Sequence, residues 1–142
     1  MSFSFVSCAQ KNTQTQHKTT EMKDYIAKIK HEGSGSISVC FYIEQDEIMS
    51  IGEKMEAIND MAYMNGYNWE AFLDYYLKKN HAEVLEGMGH DPEAGMYVAY
   101  YKGTAEDDKR ADKLVEIIKD LVENESKIYK IVEEEGDEIE WD

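Results

Sequence analysis

Apolar and polar residues alternate along two short stretches near the N-terminus. Residues 36–43 place a large apolar side chain at every second position, and residues 22–30 alternate more loosely. The turn-forming run Gly33-Ser34-Gly35 separates them. A period of two puts successive side chains on opposite faces of a strand, so the pattern predicts an antiparallel hairpin with one buried face. The predicted faces are Ile37, Val39, Phe41 and Ile43 on the second strand and Tyr25, Ala27 and Ile29 on the first.

Longer segments repeat apolar residues at the three- and four-residue spacing of helices. The spacing predicts helices over residues 45–64 and 68–80, a third beginning after Thr104, and a short fourth beginning after Ser126. Asn68, Thr104 and Ser126 are the expected N-cap residues, because their side-chain oxygens can accept from free backbone N–H groups. Asn65-Gly66 is typical of a chain reversal. The predicted stripe of the third helix is Ala111, Leu114, Val115, Ile118, Leu121 and Val122.

One further strand is predicted at residues 96–101, which are rich in aromatic and β-branched side chains. The pattern therefore predicts an α+β domain, in which a hairpin and a central strand form a small antiparallel sheet against three or four helices. With 142 residues, we expect one domain over residues 21–142. Its acidic end, residues 133–142, is a solvated tail, an added edge strand through Ile139 and Trp141, or a segment that folds onto a cationic partner.

Residues 1–20 are expected to be disordered, because residues 10–20 form a polar stretch without large hydrophobic side chains. The run Phe5-Val6-Ser7-Cys8 is similar to the end of a bacterial lipoprotein signal, in which a small residue precedes a lipidated cysteine. The apolar part is short and no basic residue precedes it. Lipidation of Cys8 would place the domain in the periplasm or at the cell surface; otherwise we expect it in the cytoplasm.

The chain has a net charge of −15. Residues 1–31 carry +3, whereas residues 32–102 and 103–142 each carry −9. Such a field disfavours nucleic acid and anionic lipid as partners and favours a cationic protein. The charge is explained either as a surface that keeps the protein soluble or as one built to meet a basic partner.

Residues with catalytic or metal-binding chemistry form no recognisable pattern. Cys8 and Cys40 are too few for a disulfide framework, and no zinc or phosphate-binding motif occurs. Cys40 is interpreted as a covered small residue rather than a nucleophile. His90-Asp91 precedes Pro92, and a turn or capping role is favoured for Asp91 over a metal or acid–base role. We therefore expect a non-enzyme without cofactor or metal.

Two short motifs resemble the immunity protein 51 family of bacterial polymorphic toxin systems. They are Asn65-Gly66-Tyr67-Asn68-Trp69-Glu70 at a helix entry and Asp91-Pro92-Glu93-Ala94-Gly95-Met96 before an aromatic strand. Asn68 stands where the family often has Asp, and its capping chemistry is retained. The motif residues, which either hold the fold or contact the partner, are Gly66, Tyr67, Trp69, Asp91, Pro92, Glu93, Gly95 and Met96.

The resemblance implies an α+β binding protein that neutralises a cognate toxin. Combined with the acidic charge and ten tyrosines, it favours occlusion of a basic toxin surface. The alternative is a surface-anchored lipoprotein binding module without a toxin partner. A third hypothesis, a carboxylate-based hydrolase, requires a cleft with two carboxylates at catalytic spacing.

Overall fold

The computed structural model describes residues 23–142, so the expectations for residues 1–20 and Cys8 lie outside the described residues. Within residues 23–142, four helices pack with a four-stranded antiparallel sheet of order β1-β2-β4-β3, which confirms the predicted α+β class. The strands are β1 (Ile26–Lys30), β2 (Ile37–Tyr42), β3 (Gly89–His90) and β4 (Met96–Tyr101). The helices are α1 (Asp46–Ile58), α2 (Gly66–Asn80), α3 (Ala105–Glu123) and α4 (Glu125–Glu135), with short 3₁₀ helices at Ala82–Leu85 and Gly136–Glu138.

The buried face of β2 is the predicted one. Ile37, Val39 and Phe41 are fully buried, and they pair in register with Tyr101, Ala99 and Tyr97 of β4. These β4 residues are also fully buried. The inner faces of β2 and β4 thus form the floor of the core, against which α3 and α2 pack.

The predicted faces were wrong within β1, although Tyr25, just before the strand, is buried as predicted. Ile26 and Lys28 pair with Phe41 and Val39, which face the helices, whereas Ile29 lies on the opposite face and is exposed. A lysine can point inward here because Asp108 and Asp112 of α3 lie 2.8 and 2.7 Å from its Nζ. An inward-pointing charge on an edge strand also opposes pairing with another chain.

Electrostatic contacts stabilise the charged form of Lys28. Burial lowers the pKa of its ammonium group, but hydrogen bonds to Asp108 and Asp112 outweigh burial, and the pKa is raised. On the opposite sheet face, Cys40 is buried, and burial raises the pKa of its thiol, while a hydrogen bond with Tyr42 acts the other way. Both effects leave these two groups in their usual protonation states near neutral pH.

The end of α1 and the start of α2 differ from the predictions. α1 ends at Ile58 rather than at residue 64, because the Asn59 side chain accepts a hydrogen bond from the Met61 amide at 2.9 Å and holds a local turn. α2 begins at Gly66, two residues before the predicted start, with Asn65 as its N-cap. The Asn65 side chain accepts from the Asn68 amide at 2.9 Å.

The N-terminus of α3 matches its prediction, whereas that of α4 does not. Thr104 accepts from the Asp107 amide at 3.0 Å, and the Asp107 carboxylate accepts from the Thr104 amide at 3.2 Å, which completes a capping box. Every residue of the predicted α3 stripe is buried. For α4, Asn124 occupies the N-cap position predicted for Ser126, since the helix already includes Glu125.

The carboxylate of Asp107 is held in its charged form. Burial acts to raise its pKa, but the backbone amides of Thr104 and Gly103 and the Arg110 guanidinium outweigh burial, and the pKa is lowered. Arg110 Nη1 lies 2.9 Å from Asp107 Oδ1. The start of α3 is therefore stabilised by a charge that is lost in acid.

We expect Asp107→Asn to lower the Tm by a few degrees near neutral pH and by less in acid. A carboxyl group whose pKa is lower in the folded than in the unfolded chain stabilises the fold above the unfolded value of about 3.9, and this contribution disappears as the pH falls through the folded value. Thermal unfolding from pH 7 to about pH 3 measures the effect. Glu106→Gln, an exposed first-turn change, is the control. An equal Tm loss at every pH would contradict the assignment.

The acidic C-terminal residues fold back onto the domain rather than forming an added strand. After the 3₁₀ turn Gly136–Glu138, Ile139 is buried and Trp141 packs against the core. The Trp141 indole Nε1 donates to Gly136 O at 3.0 Å, and the Asp142 amide donates to Asn68 Oδ1 at 2.5 Å. This C-terminal segment, residues 136–142, is consequently fixed beside the start of α2.

Candidate functional site

The two halves of the sequence motif meet at Gly66. Its amide donates to Ala94 O at 2.9 Å, and a Cβ atom added at Gly66 would lie 1.8 Å from Glu93 O and 2.4 Å from Met96 O. These carbonyl groups surround the first residue of α2, where backbone N–H groups need partners. Gly66 does not have the positive φ expected of it as part of a chain reversal, since the glycines with positive φ among the described residues lie elsewhere. Glycine is required here by the close approach of the two carbonyl groups.

The remaining motif residues on α2 point in different directions. Trp69 is buried, with its ring 5.0 Å from Phe41 and 5.9 Å from Phe72 between centroids, both in edge-to-face geometry. Tyr67 is exposed. Trp69 therefore serves packing, while Tyr67 is available to a partner.

The motif turn before β4 is held by its backbone. The Glu93 amide donates to Met96 O at 2.8 Å, the Met96 amide donates to Glu93 O at 3.2 Å, and the Asp91 amide donates to Val98 O at 3.0 Å. The turn also includes the half-buried Pro92. Gly95 gives room to the side chain of Glu44, whose carboxylate carbon would lie 2.7 Å from a Cβ there. The turn thus supports α2 from one side.

His90 lies at the end of β3, beside the same helix. Its Nδ1 is 3.3 Å from Glu70 Oε2, and its Nε2 is buried without a hydrogen-bond partner among the described residues. Within residues 23–142, no group of three or more His, Cys, Asp or Glu side chains could hold a metal ion. The structure thus links His90 to Glu70 on α2, and Asp91 takes part through its backbone.

A groove of about 430 Å³ runs between α2 and the C-terminal segment. We call it the acidic groove, because five of its nine lining residues are Asp or Glu and one is Lys. Its lining residues are Tyr67, Glu70, Ala71, Asp74, Tyr75, Lys78, Glu138, Glu140 and Asp142. Such a lining attracts a cationic group, and the Lys79 ammonium group already lies 5.4 Å from the ring centroid of Tyr75 in a cation–π contact.

Hydrogen bonds fix the two walls of the acidic groove relative to each other. The buried Asn68 amide group donates to Tyr63 O at 2.7 Å and accepts from Asp142 at its Oδ1. Further along α2, the Tyr75 hydroxyl donates to Glu135 at 2.6 Å and lies 3.2 Å from a carboxylate oxygen of Glu138. The groove is therefore preformed, which reduces the ordering that binding would require.

Neighbouring charges bias the ionisation of the groups at one end of the groove. The hydrogen bond to Glu135 is the main cause that raises the pKa of Tyr75, and the same bond, with help from Lys79, lowers the pKa of Glu135. Lys79 Nζ lies 3.1 Å from Glu135 Oε1. Lys78 pairs with Asp74 at 3.3 Å. The carboxylates at the opposite end, Glu140 and Asp142, remain exposed.

Among the groove residues, sequence reasoning gave Tyr67 as a candidate site residue, placed Glu70 in the motif, and named the acidic end, residues 133–142, as a segment that could meet a cationic partner. On α2, the lining positions 67, 70, 71, 74, 75 and 78 repeat at three- and four-residue spacing, so they form one helical stripe. That stripe could have been recognised as a polar face with two tyrosines. The residues of the C-terminal segment could not have been assigned to it, because nothing local places them beside α2.

None of the helices within residues 23–142 combines the length and apolar content needed to cross a membrane. A family model described as Immunity protein 51 matches residues 26–137, which include all four strands, all four helices and both halves of the motif. The match confirms the family suggested by the motif. No curated protein and no solved structure matches the chain.

Proposed function

The chain belongs to the immunity protein 51 family, and on that premise we propose that it binds and neutralises a cognate toxin protein. In this proposal the protein is not an enzyme. It inhibits by docking its acidic groove onto a basic functional surface of the toxin, such as a nucleic-acid-binding face. The single observation that carries the choice of site is the preformed groove with five carboxylate side chains.

The electrostatics of the molecule support a basic partner. A net charge of −15 attracts a cationic protein from a distance, and the groove concentrates carboxylates where a lysine or arginine side chain can enter. Long-range attraction mainly raises the association rate, whereas close contacts slow dissociation. Tyr67 and Tyr75 at the groove are suited to such close contacts, because tyrosine is enriched among binding hot spots.

Charge reversal in the groove tests the proposal. We expect Asp74→Lys combined with Glu140→Lys to lower the association rate for the toxin by about tenfold or more, because attraction becomes repulsion at the docking site. The partner to be tested is the protein encoded by the open reading frame immediately upstream of the gene, expressed in parallel with the two double variants. Stopped-flow or surface-plasmon kinetics at several salt concentrations measure the rate, and rescue of growth on co-expression measures protection.

A matched control separates the groove from overall charge. Glu53→Lys combined with Glu56→Lys changes two exposed residues of α1 that do not line the groove, and both double variants have a net charge of −11. We expect the control to keep growth protection and most of the association rate. Equal losses in the two double variants would contradict docking at the groove, and a wild-type protein that neither binds nor protects would contradict toxin neutralisation itself.

A further inference from the structure

Exposed apolar side chains gather in the loop that precedes α2. Met61 is 58% exposed and Tyr63 is 65% exposed, and Tyr67 on the first turn of α2 is 42% exposed. We call Met61, Tyr63 and Tyr67 the apolar patch. Exposing large side chains of this kind in water is unfavourable, so a group of them is typical of a surface that meets a partner.

The apolar patch is continuous with the acidic groove. Tyr67 belongs to both, because it also lines the groove. The Asn68 amide group bonds to the Tyr63 carbonyl on one side and to the Asp142 amide on the other, so the loop and the groove wall share one buried residue. The loop also contacts the C-terminal segment: the Asn59 side chain lies so close to Gly136 that a Cβ atom added there would be 2.7 Å from Asn59 Nδ2.

We propose that the apolar patch and the acidic groove form one binding surface, and that it takes a partner segment with a basic side chain beside an apolar or aromatic one. This inference rests on the proposed function and adds the chemistry of the toxin segment. The basic side chain enters the groove, and its apolar neighbour covers Met61 and Tyr63. The groove carboxylates attract the basic side chain by charge complementarity. Because the apolar patch adjoins the groove, the neighbouring apolar side chain then lies over Met61 and Tyr63.

The physical reason for the combination is exclusion of water. An ion pair in an open groove is weakened by solvent, but it becomes stronger when apolar side chains around it keep water out. Tyrosine and methionine are suited to that role because both are enriched in interface cores, and the methionine side chain adapts to irregular shapes. Patch residues should therefore control how long the complex lasts, whereas groove carboxylates control how fast it forms.

Exposed residues elsewhere provide matched controls. Met49 on α1 is exposed, as is Tyr100 on the open face of the sheet. Tyr100 and the exposed Ile29 both lie in register with Ser38 across that face, which carries none of the groove's carboxylates. Met49→Ser therefore matches Met61→Ser, and Tyr100→Ser matches Tyr63→Ser.

The test uses the chain of 142 residues, with the protein encoded by the neighbouring upstream open reading frame as the probe. We expect Tyr63→Ser and Met61→Ser each to raise the Kd by about tenfold, mostly through faster dissociation, as truncation of hot-spot residues does. Tyr100→Ser and Met49→Ser should change the Kd by no more than about threefold. Thermal unfolding of each variant checks that the fold is retained, which is expected because all four side chains are exposed.

The outcomes separate the two proposals. If the wild-type chain binds and protects while the patch variants keep its Kd and dissociation rate, the inference about the patch is overturned and toxin neutralisation stands. Larger losses in Tyr100→Ser and Met49→Ser would move the interface to another face and also overturn it. If the wild-type chain does not bind the probe, the proposed function fails first and the patch has no role in it.

Discussion

Gly66→Ala is expected to destabilise the protein by about 3 kcal/mol or more, at or above the upper end of the usual cost of overpacking. The added Cβ would lie 1.8 Å from Glu93 O and 2.9 Å from the carbonyl carbon of Met96. Both atoms belong to the backbone, so no side-chain rotation relieves the contact. Either α2 or the motif turn has to move, and the hydrogen bond from the Gly66 amide to Ala94 O is broken.

The measurement is chemical denaturation of the variant beside Gly33→Ala. Gly33 has φ of +91°, and a Cβ there meets no atom within 4 Å, so this control reports backbone strain without a steric contact. We expect the control to cost about 1 kcal/mol. Alanine favours helices, so intrinsic propensity alone would make Gly66→Ala stabilising. If Gly66→Ala were as stable as the wild type, the close approach of the motif turn to the first residue of α2 would be contradicted.

Trp69→Ala is expected to destabilise the protein by about 3–5 kcal/mol, the usual range for removing a large buried aromatic side chain. Trp69 is 2% exposed and is enclosed by Phe41 of β2 and Phe72 of α2. Its removal leaves a cavity where the sheet and the helix meet, and two edge-to-face aromatic contacts are lost. Denaturation of the purified variant, with near-ultraviolet circular dichroism as a probe of packing, measures the loss.

Trp141→Ala is the matched control, because Trp141 is the second of the two tryptophans and is only half-buried. We expect Trp141→Ala to lower the free energy of unfolding by less than Trp69→Ala does, because Trp141 is less buried than Trp69. Its indole hydrogen bond to Gly136 O is at the C-terminal segment, so its removal should loosen one wall of the groove before it affects the sheet. Equal losses for the two tryptophans would contradict the central position assigned to Trp69.

The motif at the start of α2 contains residues that are needed for the fold and one residue that is available to a partner. Gly66 and Trp69 are needed for the fold, so under the proposed function their substitution should reduce toxin protection by lowering the amount of folded protein. Tyr67, between them in the sequence, is exposed and lines the groove. In our proposal it is the motif residue that contacts the partner, and its loss should weaken binding without a comparable loss of stability.

The amino-acid sequence by itself determined the elements whose stability is local. The alternation from Ile37 to Phe41 was sufficient to assign the buried face of β2, and Thr104 was sufficient to place the start of α3. Residues 96–101 were assigned correctly as β4. In each case neighbouring residues supply the periodicity or the cap, so distant contacts do not have to be known.

Only the tertiary structure decided the features that depend on distant partners. The inward direction of Lys28 requires Asp108 and Asp112, and the need for glycine at position 66 requires the turn at Glu93. The two-residue strand β3 exists because it pairs with β4, and its own sequence is too short to show a period.

The acidic groove and the apolar patch belong to the same category. Their parts come from α2, the loop before it and the C-terminal segment, which are joined through the side chain of Asn68. Sequence alone showed that the chain is acidic, rich in tyrosine and similar to an immunity family. Only folding brings the groove carboxylates and the exposed tyrosines together. Their positions depend on contacts between residues more than sixty positions apart along the chain, such as Tyr75 and Glu138.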